Sequence, residues 1–173
     1  MNLNYVLIEI VSGIFKQKER GHDMEPIIDE NTKLLIVGTF PSEISRQIGQ
    51  YYGNPRNQFW KLMGSILDIN LQEMDYNSRI ITLKENNIGL WDIVKSCQIK
   101  GSSDRSIRDE EYNDFSNLTH VKKIICNGSK AMKFVKHCSV PDCIEVSSVP
   151  SSSPARAMKF SEKLKEWEGV IVI

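Results

Sequence analysis

The run Leu34-Leu35-Ile36-Val37, closed by Gly38, constrains this chain more than any other segment. It has no polar alternation, so it has no face suited to water. Such a run reads as a central parallel strand buried on both faces, because an antiparallel strand with one wet face alternates apolar and polar side chains. The same grammar returns twice. Lys122 to Cys126 is a second buried-strand candidate, closed by Asn127-Gly128 and followed directly by a helix over 129–137. Cys143 to Ser147 reads as a third, followed by a loop over 148–156 and a helix over 155–167. Strand, loop and helix alternating in this way predict a parallel sheet with helices on both faces. Ligands of such sheets bind beyond the carboxyl ends of the strands. Three loops fall there, 38–57, 127–130 and 148–156.

The elements between are read as follows. Asn54-Pro55 is an N-cap with proline at the first helical position, and Phe59, Trp60, Met63, Ile66 and Leu67 form the apolar stripe of that helix. A helix is expected over 75–86, a strand or turn over 88–94, a polar loop over 101–106, a helix over 112–118 and a short last strand over 170–173. Residues 1–23 read as an N-terminal extension, an apolar stretch followed by Lys16-Gln17-Lys18-Glu19-Arg20, with one domain over 24–173. A chain of 173 residues suits a single core of this kind.

Charge narrows the partners. Lys and Arg number 22 and so do Asp and Glu, which argues against a polyelectrolyte that coats nucleic acid but permits a local basic patch. Cys97, Cys126, Cys138 and Cys143 show no Cys-x-x-Cys pair, and His22, His120 and His137 share no ligand spacing, so neither a metal nor a cofactor is expected. No stretch approaches the roughly 20 apolar residues of a membrane span, and no basic leader precedes Tyr5 to Phe15. The expectation is a cytoplasmic monomer.

Chemistry concentrates in the loops. Tyr51-Tyr52 before Gly53-Asn54-Pro55 suggests an aromatic platform for a flat ring, with Asn57 expected in the first helical turn beside the positive helix end. The alternative is a plain turn with core aromatics. In Val149-Pro150-Ser151-Ser152-Ser153-Pro154-Ala155-Arg156, two prolines stiffen a row of hydroxyls before a helix, which suits phosphate or simply caps that helix. Asn127-Gly128-Ser129-Lys130 reads as a strand-to-helix turn able to hold a base edge. Asp92, after Trp91, reads as a hydrogen-bonded structural aspartate, and Asp104 as solvated. No Gly-x-Gly-x-x-Gly, P-loop or Gly-x-Ser-x-Gly elbow is present.

In order, Leu35-Ile36-Val37-Gly38-Thr39-Phe40-Pro41-Ser42, Tyr51-Tyr52-Gly53-Asn54-Pro55-Arg56-Asn57-Gln58-Phe59-Trp60, Gly89-Leu90-Trp91-Asp92, Gly101-Ser102-Ser103-Asp104, Asn127-Gly128 and Val149 to Ala155 resemble the hypoxanthine-DNA (deoxyinosine) glycosylase branch of the uracil-DNA glycosylase superfamily. The resemblance runs from about Met24 to Trp167. It implies a three-layer α/β/α fold around a four-stranded parallel sheet, damaged DNA as the partner, and a monofunctional hydrolase that extrudes a deaminated base, hypoxanthine first, in base excision repair. Uracil or mismatch excision on the same fold, or binding without catalysis, are the alternatives. Most of the superfamily carries Asp or Asn where this chain has Phe40. This branch places its essential Asn at the position of Asn57, and its usual His stands where this chain has Asn54. Val149 replaces the Leu or His that opens the last motif, so the usual His partner of a uracil carbonyl is absent. The resemblance therefore implies Asn57 as the catalytic residue, orienting water or bonding the base edge. It implies base contacts from Phe40, Tyr52 and Asn127, and phosphate contacts from Ser42, Ser151, Ser153 and Arg156.

Overall fold

The structure is a computed structural model, and it describes residues 19–21, 24–99 and 106–172. Four strands form a fully parallel sheet: β2 (Leu34–Gly38), β3 (Ile88–Asp92), β6 (Lys123–Asn127) and β7 (Glu145–Val149), in the order β3-β2-β6-β7. The two inner strands carry the least interrupted apolar runs because both their faces are covered. Ile36 and Ile125 face a layer built by α2 (Phe59–Leu67), α3 (Tyr76–Glu85) and α5 (Phe160–Glu168). Leu35, Val37, Ile124 and Cys126 face the other way, against α4 (Ser129–Phe134), the turn over 135–137 and the chain at Phe115, Leu118 and Val121. The arrangement is the expected α/β/α sandwich.

Register fixes the business end. Gly38 pairs with Asp92, Val37 with Cys126 and Asn127 with Val149, so four strands end level with one another. The sheet leaves β2 first toward β3 and later toward β6, so the strand order reverses at β2, where doubly wound sheets open a crevice.

Several elements differ from expectation. The helix after Asn54-Pro55 begins at Phe59, not Pro55. Asn54 turns the chain instead: its Oδ1 accepts from the Arg56 N–H and its carbonyl from the Asn57 N–H, and the Gln58 N–H donates to the Ser152 carbonyl of another loop. That tertiary bond holds the chain out of helical geometry until Phe59. Residues 112–118 are not helical. Tyr112 ends β5 (Arg108–Tyr112), and the turns that follow place Phe115 and Leu118 in the core. The third strand runs two residues later than 143–147, and α5 starts at Phe160 because Ser153 to Arg156 forms a turn. Residues 170–172 are not a strand; the Val170 carbonyl accepts from Lys123 Nζ, and Ile171 packs into the core.

A second, antiparallel sheet was not expected: β1 (Glu19–Gly21), β4 (Val94–Gln98) and β5, in the order β1-β4-β5. Its first strand lies within the segment read as an extension. Residues 1–18, 22–23, 100–105 and 173 lie outside the described residues, and with them most of that extension, His22 and Asp104. No described helix is long and apolar enough to cross a membrane.

Candidate active site

Beyond the strand ends lies a cavity of about 670 Å³, within the range of small-ligand pockets. Each strand contributes to its wall: Gly38 to Ser42 after β2, Asp92 from β3, Asn127 from β6 and Ser151 to Ser153 after β7. Tyr51, Tyr52 and Asn57 close it from the loop before α2, and Arg156 from the loop before α5. All eight residues singled out from the sequence therefore meet in one space, although they come from three separate loops.

The loop after β2 is tied to the helix that follows it. Ser42 caps α1 (Glu43–Ile48), its Oγ accepting from the Ser45 N–H at 3.2 Å. Arg46 in the same helix donates to the Pro41 carbonyl at 2.5 Å, and its guanidinium lies 5.1 Å from the centre of the Phe40 ring. Phe40 is thus held against the cavity by a cation on one face, the geometry of a cation–π contact.

Tyr52 stands in left-handed backbone at φ 54°, a conformation costly for a bulky side chain and one that accumulates at functional sites. One face of its ring is taken by Phe59, stacked at 3.7 Å between centroids. What it offers the cavity is its hydroxyl, which is held by the Asn127 side chain. Burial and the negative charge of Asp92 push that hydroxyl, and the neighbouring Tyr51 hydroxyl, well above the ordinary tyrosine range. Both therefore remain protonated donors.

Asn57 is oriented by its own backbone. Its Oδ1 accepts from the Phe59 N–H at 3.0 Å, one of the amides that a helix start leaves without an internal partner. Only oxygen can accept there, so the amide orientation follows from the bond. Its Nδ2 has no partner among the described residues. Asn57 therefore presents N–H, a donor, to the cavity it lines.

Asn127 is bonded at both ends of its amide. Its Oδ1 accepts from the Ser152 N–H at 2.8 Å, and its Nδ2 donates to Ser152 Oγ at 2.8 Å. The pair is buried and clamps the Ser-rich loop to the end of β6. Gly128 lets that loop approach: a Cβ there would stand 2.9 Å from Ser151 Cβ, and its φ of 108° suits glycine alone. Ser151 Oγ accepts from the Ser153 N–H, and Ser153 Oγ from the Ala155 N–H, so both hydroxyls keep a proton to donate outward. Arg156 is exposed above them.

Tyr51, of the expected aromatic pair, and Ser152, of the expected row of hydroxyls, line the cavity too, and so does Asp92, expected only as a structural acid; Lys163, which no sequence pattern singles out, packs behind it. Lys163 is 1% exposed, and its Nζ donates to Gln58 Oε1 at 2.7 Å, fixing the residue beside Asn57. Burial lowers the Lys163 pKa, and Arg156 lowers it further. The available signal was position: Asp92 ends the apolar run from Ile88, which is where a parallel strand delivers residues to a site.

The family model of the uracil DNA glycosylase superfamily matches residues 25–171. A hypoxanthine DNA glycosylase of Methanosarcina acetivorans is 43% identical over 148 residues, 83% of this chain and 93% of its own length. Another of Methanosarcina barkeri is 44% identical over 113 residues, 63% of this chain and 72% of its own. The solution NMR structure of a protein from Methanosarcina acetivorans, described as a candidate uracil DNA glycosylase, superposes with a TM-score of 0.76 at 40% identity, covering 88% of this chain and 96% of that one. A match over nearly the whole described domain, on a sheet of the same kind with its cavity at the strand ends, places this chain in the uracil DNA glycosylase superfamily.

Proposed function

We propose that this chain is a monofunctional DNA glycosylase that hydrolyses the bond between deoxyribose and an extruded hypoxanthine. The observation that carries the reading is Asn57, fixed by the Phe59 N–H so that its free amide donor lines a cavity of base size, in a chain 43% identical to a hypoxanthine DNA glycosylase.

Breaking the C1′–N9 bond leaves its electron pair on the base and positive charge on the sugar. Water adds at C1′, and its proton ends on the departing base. A donor aimed at the purine stabilises the charge that develops there, the kind of contact whose loss typically costs ~10² to 10³ in rate. Phe40 supplies an apolar face for the ring, and Tyr52 its hydroxyl. Asn127 acts on the base side through Tyr52 and on the phosphate side through Ser152. Ser42, Ser151, Ser153 and Arg156 offer hydroxyls and one cation to the flanking phosphates. No lysine lines the cavity among the described residues, so water, not an amine, is the nucleophile.

We further propose a monomer as the working unit, with 24–173 as the catalytic domain and 1–23 as an extension. The free thiols of Cys97, Cys126, Cys138 and Cys143 suit the reducing cytoplasm. Side-by-side excision from oligonucleotides carrying hypoxanthine, uracil or xanthine tests the substrate. Release of free hypoxanthine faster than uracil or xanthine supports the reading, and tight binding without release of any base would leave a binding module.

A further inference from the structure

We propose that Lys163 is a positioning residue of this glycosylase, its buried ammonium holding Gln58 so that the Asn57 loop and the Ser-rich loop keep one spacing around the extruded nucleotide. The inference deepens the function proposed above and rests on it.

Lys163 stands where the helix pattern calls for an apolar side chain. Phe160, Leu164 and Trp167 of α5 pack into the core, and Lys163, on the same face, is 1% exposed. Lysine is almost never buried so fully unless it is paired. No carboxylate pairs with it among the described residues. Burial presses its pKa down, and the like charge of Arg156 presses it further. Replacing a buried charge by a well-packed apolar side chain is often neutral or stabilising, so stability does not account for this lysine.

Its hydrogen bond does. Among the described residues the ammonium has one side-chain partner, Gln58 Oε1 at 2.7 Å. An ammonium only donates, so Gln58 must turn its oxygen to it, and the orientation of that amide follows. Gln58 stands between Asn57 and Phe59, whose mutual bond aims the free donor of Asn57 at the cavity. The Gln58 N–H donates to the Ser152 carbonyl at 3.0 Å. One turn beyond Lys163 on α5, Trp167 Nε1 donates to the Pro150 carbonyl at 2.9 Å. These bonds close a circuit. It runs from Lys163 through Gln58 to Ser152, along the chain to Pro150, across to Trp167 and back one helical turn. The loop that aims Asn57 and the loop suited to phosphate are thereby both referred to α5.

The links are unequal. Without Lys163 the Ser-rich loop keeps Trp167 and both side-chain bonds from Asn127. The Gln58 side chain keeps none, because Lys163 is its one partner among the described residues. The loss should therefore fall on the aim of Asn57 and spare the grip on phosphate. A misplacement of about 1 Å, set by a change away from the chemistry, can cost about 10²-fold in rate.

The test uses the full chain. It reads single-turnover release of hypoxanthine at saturating enzyme, DNA binding by fluorescence anisotropy, and thermal unfolding. Lys163→Met keeps a long stem and drops the donor. It should excise at least about 10-fold more slowly than the parent, bind within about threefold, and melt no lower, since a buried charge is gone. Gln58→Met cuts the same link from the other end. It should slow release by a similar factor and melt lower, because it strands the ammonium. Gln58→Glu keeps an acceptor and makes the bond an ion pair, so it should excise within about threefold of the parent. Lys163→Met and Gln58→Met combined should be no slower than either alone. Release by Lys163→Met within about threefold of the parent overturns the proposal, and so do single losses that multiply in the double variant. A rate loss in Lys163→Met that comes with a lower melting temperature overturns it too, as the mark of a residue that only supports the core. Should Lys163→Met fail to fold, equal rates for Gln58→Met and Gln58→Glu overturn it. A parent that releases no base would count against the glycosylase reading, and the side-chain amide resonance of Asn57 by NMR would then decide the positioning. Shifts in Lys163→Met and Gln58→Met but not in Gln58→Glu support it, and a resonance unmoved in all three overturns it.

Discussion

Replacing Asn57 by Asp separates two roles that a simple deletion confuses. The native amide uses its oxygen on the Phe59 N–H and offers its nitrogen to the cavity. Asn57→Asp keeps the acceptor and removes the donor; Asn57→Ala removes both. For the fold, losing one hydrogen bond at a helix start costs about 1 kcal/mol. At roughly 2–4 °C per kcal/mol for a chain of this size, Asn57→Ala should melt about 3 °C lower. Asn57→Asp should melt at or slightly above the parent, since a negative charge before the first turn of α2 adds ~0.3–1 kcal/mol. For the reaction, both lose the donor to the departing base, worth ~10² to 10³ in rate. Activity and stability should therefore part company in the Asp variant. Single-turnover release of hypoxanthine under alkaline strand scission, beside thermal unfolding by circular dichroism, reads both. If Asn57→Asp excises within about threefold of the parent, the residue serves water through its oxygen, and the donor assignment fails.

Two further outcomes follow from the geometry. Asn127→Ala removes both contacts to Ser152 and leaves the buried Ser152 N–H without an acceptor, a loss of about 2–4 kcal/mol that should lower the melting temperature by several degrees and weaken DNA binding as the Ser-rich loop loosens; a shift under about 2 °C would refute the clamp. Asp75 caps α3, accepting from the Ser78 N–H and hydroxyl, which hold its carboxyl below the ordinary aspartate range. Its folded pKa is thus below its unfolded one, so its contribution is complete above the unfolded value, about 4, and fades as pH falls through the folded value. The stability gap between parent and Asp75→Asn, followed by urea unfolding, should close toward pH 3, and a gap that stays constant from pH 7 to pH 3 contradicts it.

What the sequence displayed of this fold follows burial. Strands β2 and β6 are covered on both faces, so their segments are nearly all apolar and stand out. Strand β5, Arg108-Asp109-Glu110-Glu111-Tyr112, is an exposed edge whose outer residues are charged. Its pairing with β4 rests on backbone bonds and on Tyr112 packing against Phe134 and His137, none of which leaves a hydrophobic period to read. Strand β7 misled by two residues because Ile144 is buried just before the strand begins. The start of α2 misled for a different reason. Asn54-Pro55 is a sound local helix signal, and the Gln58–Ser152 contact between distant loops overrides it.

The site divides along the same line. Residues whose chemistry is declared by their neighbours, such as Tyr51-Tyr52-Gly53-Asn54-Pro55-Arg56-Asn57 and the Ser-Ser-Ser-Pro run, could be gathered from the sequence. Their division of labour could not, because it is set by partners far along the chain. Asn127 reads as a base-binding amide in the sequence, and nothing local announces that its oxygen accepts from the Ser152 N–H. Asn57 could orient water or bond a base until the Phe59 N–H fixes which end of its amide faces inward. Asp92 is an unremarkable acid after a tryptophan until the parallel register of β2 and β3 brings it over Gly38. That register also gives Gly38 its meaning. In the sequence it ends a strand. In the fold it is the position where any side chain would displace the one carboxylate that lines the cavity among the described residues. The first motif thus contributes to the site chiefly through the room it leaves, since Phe40 holds the position where most of the superfamily carries an acid or amide.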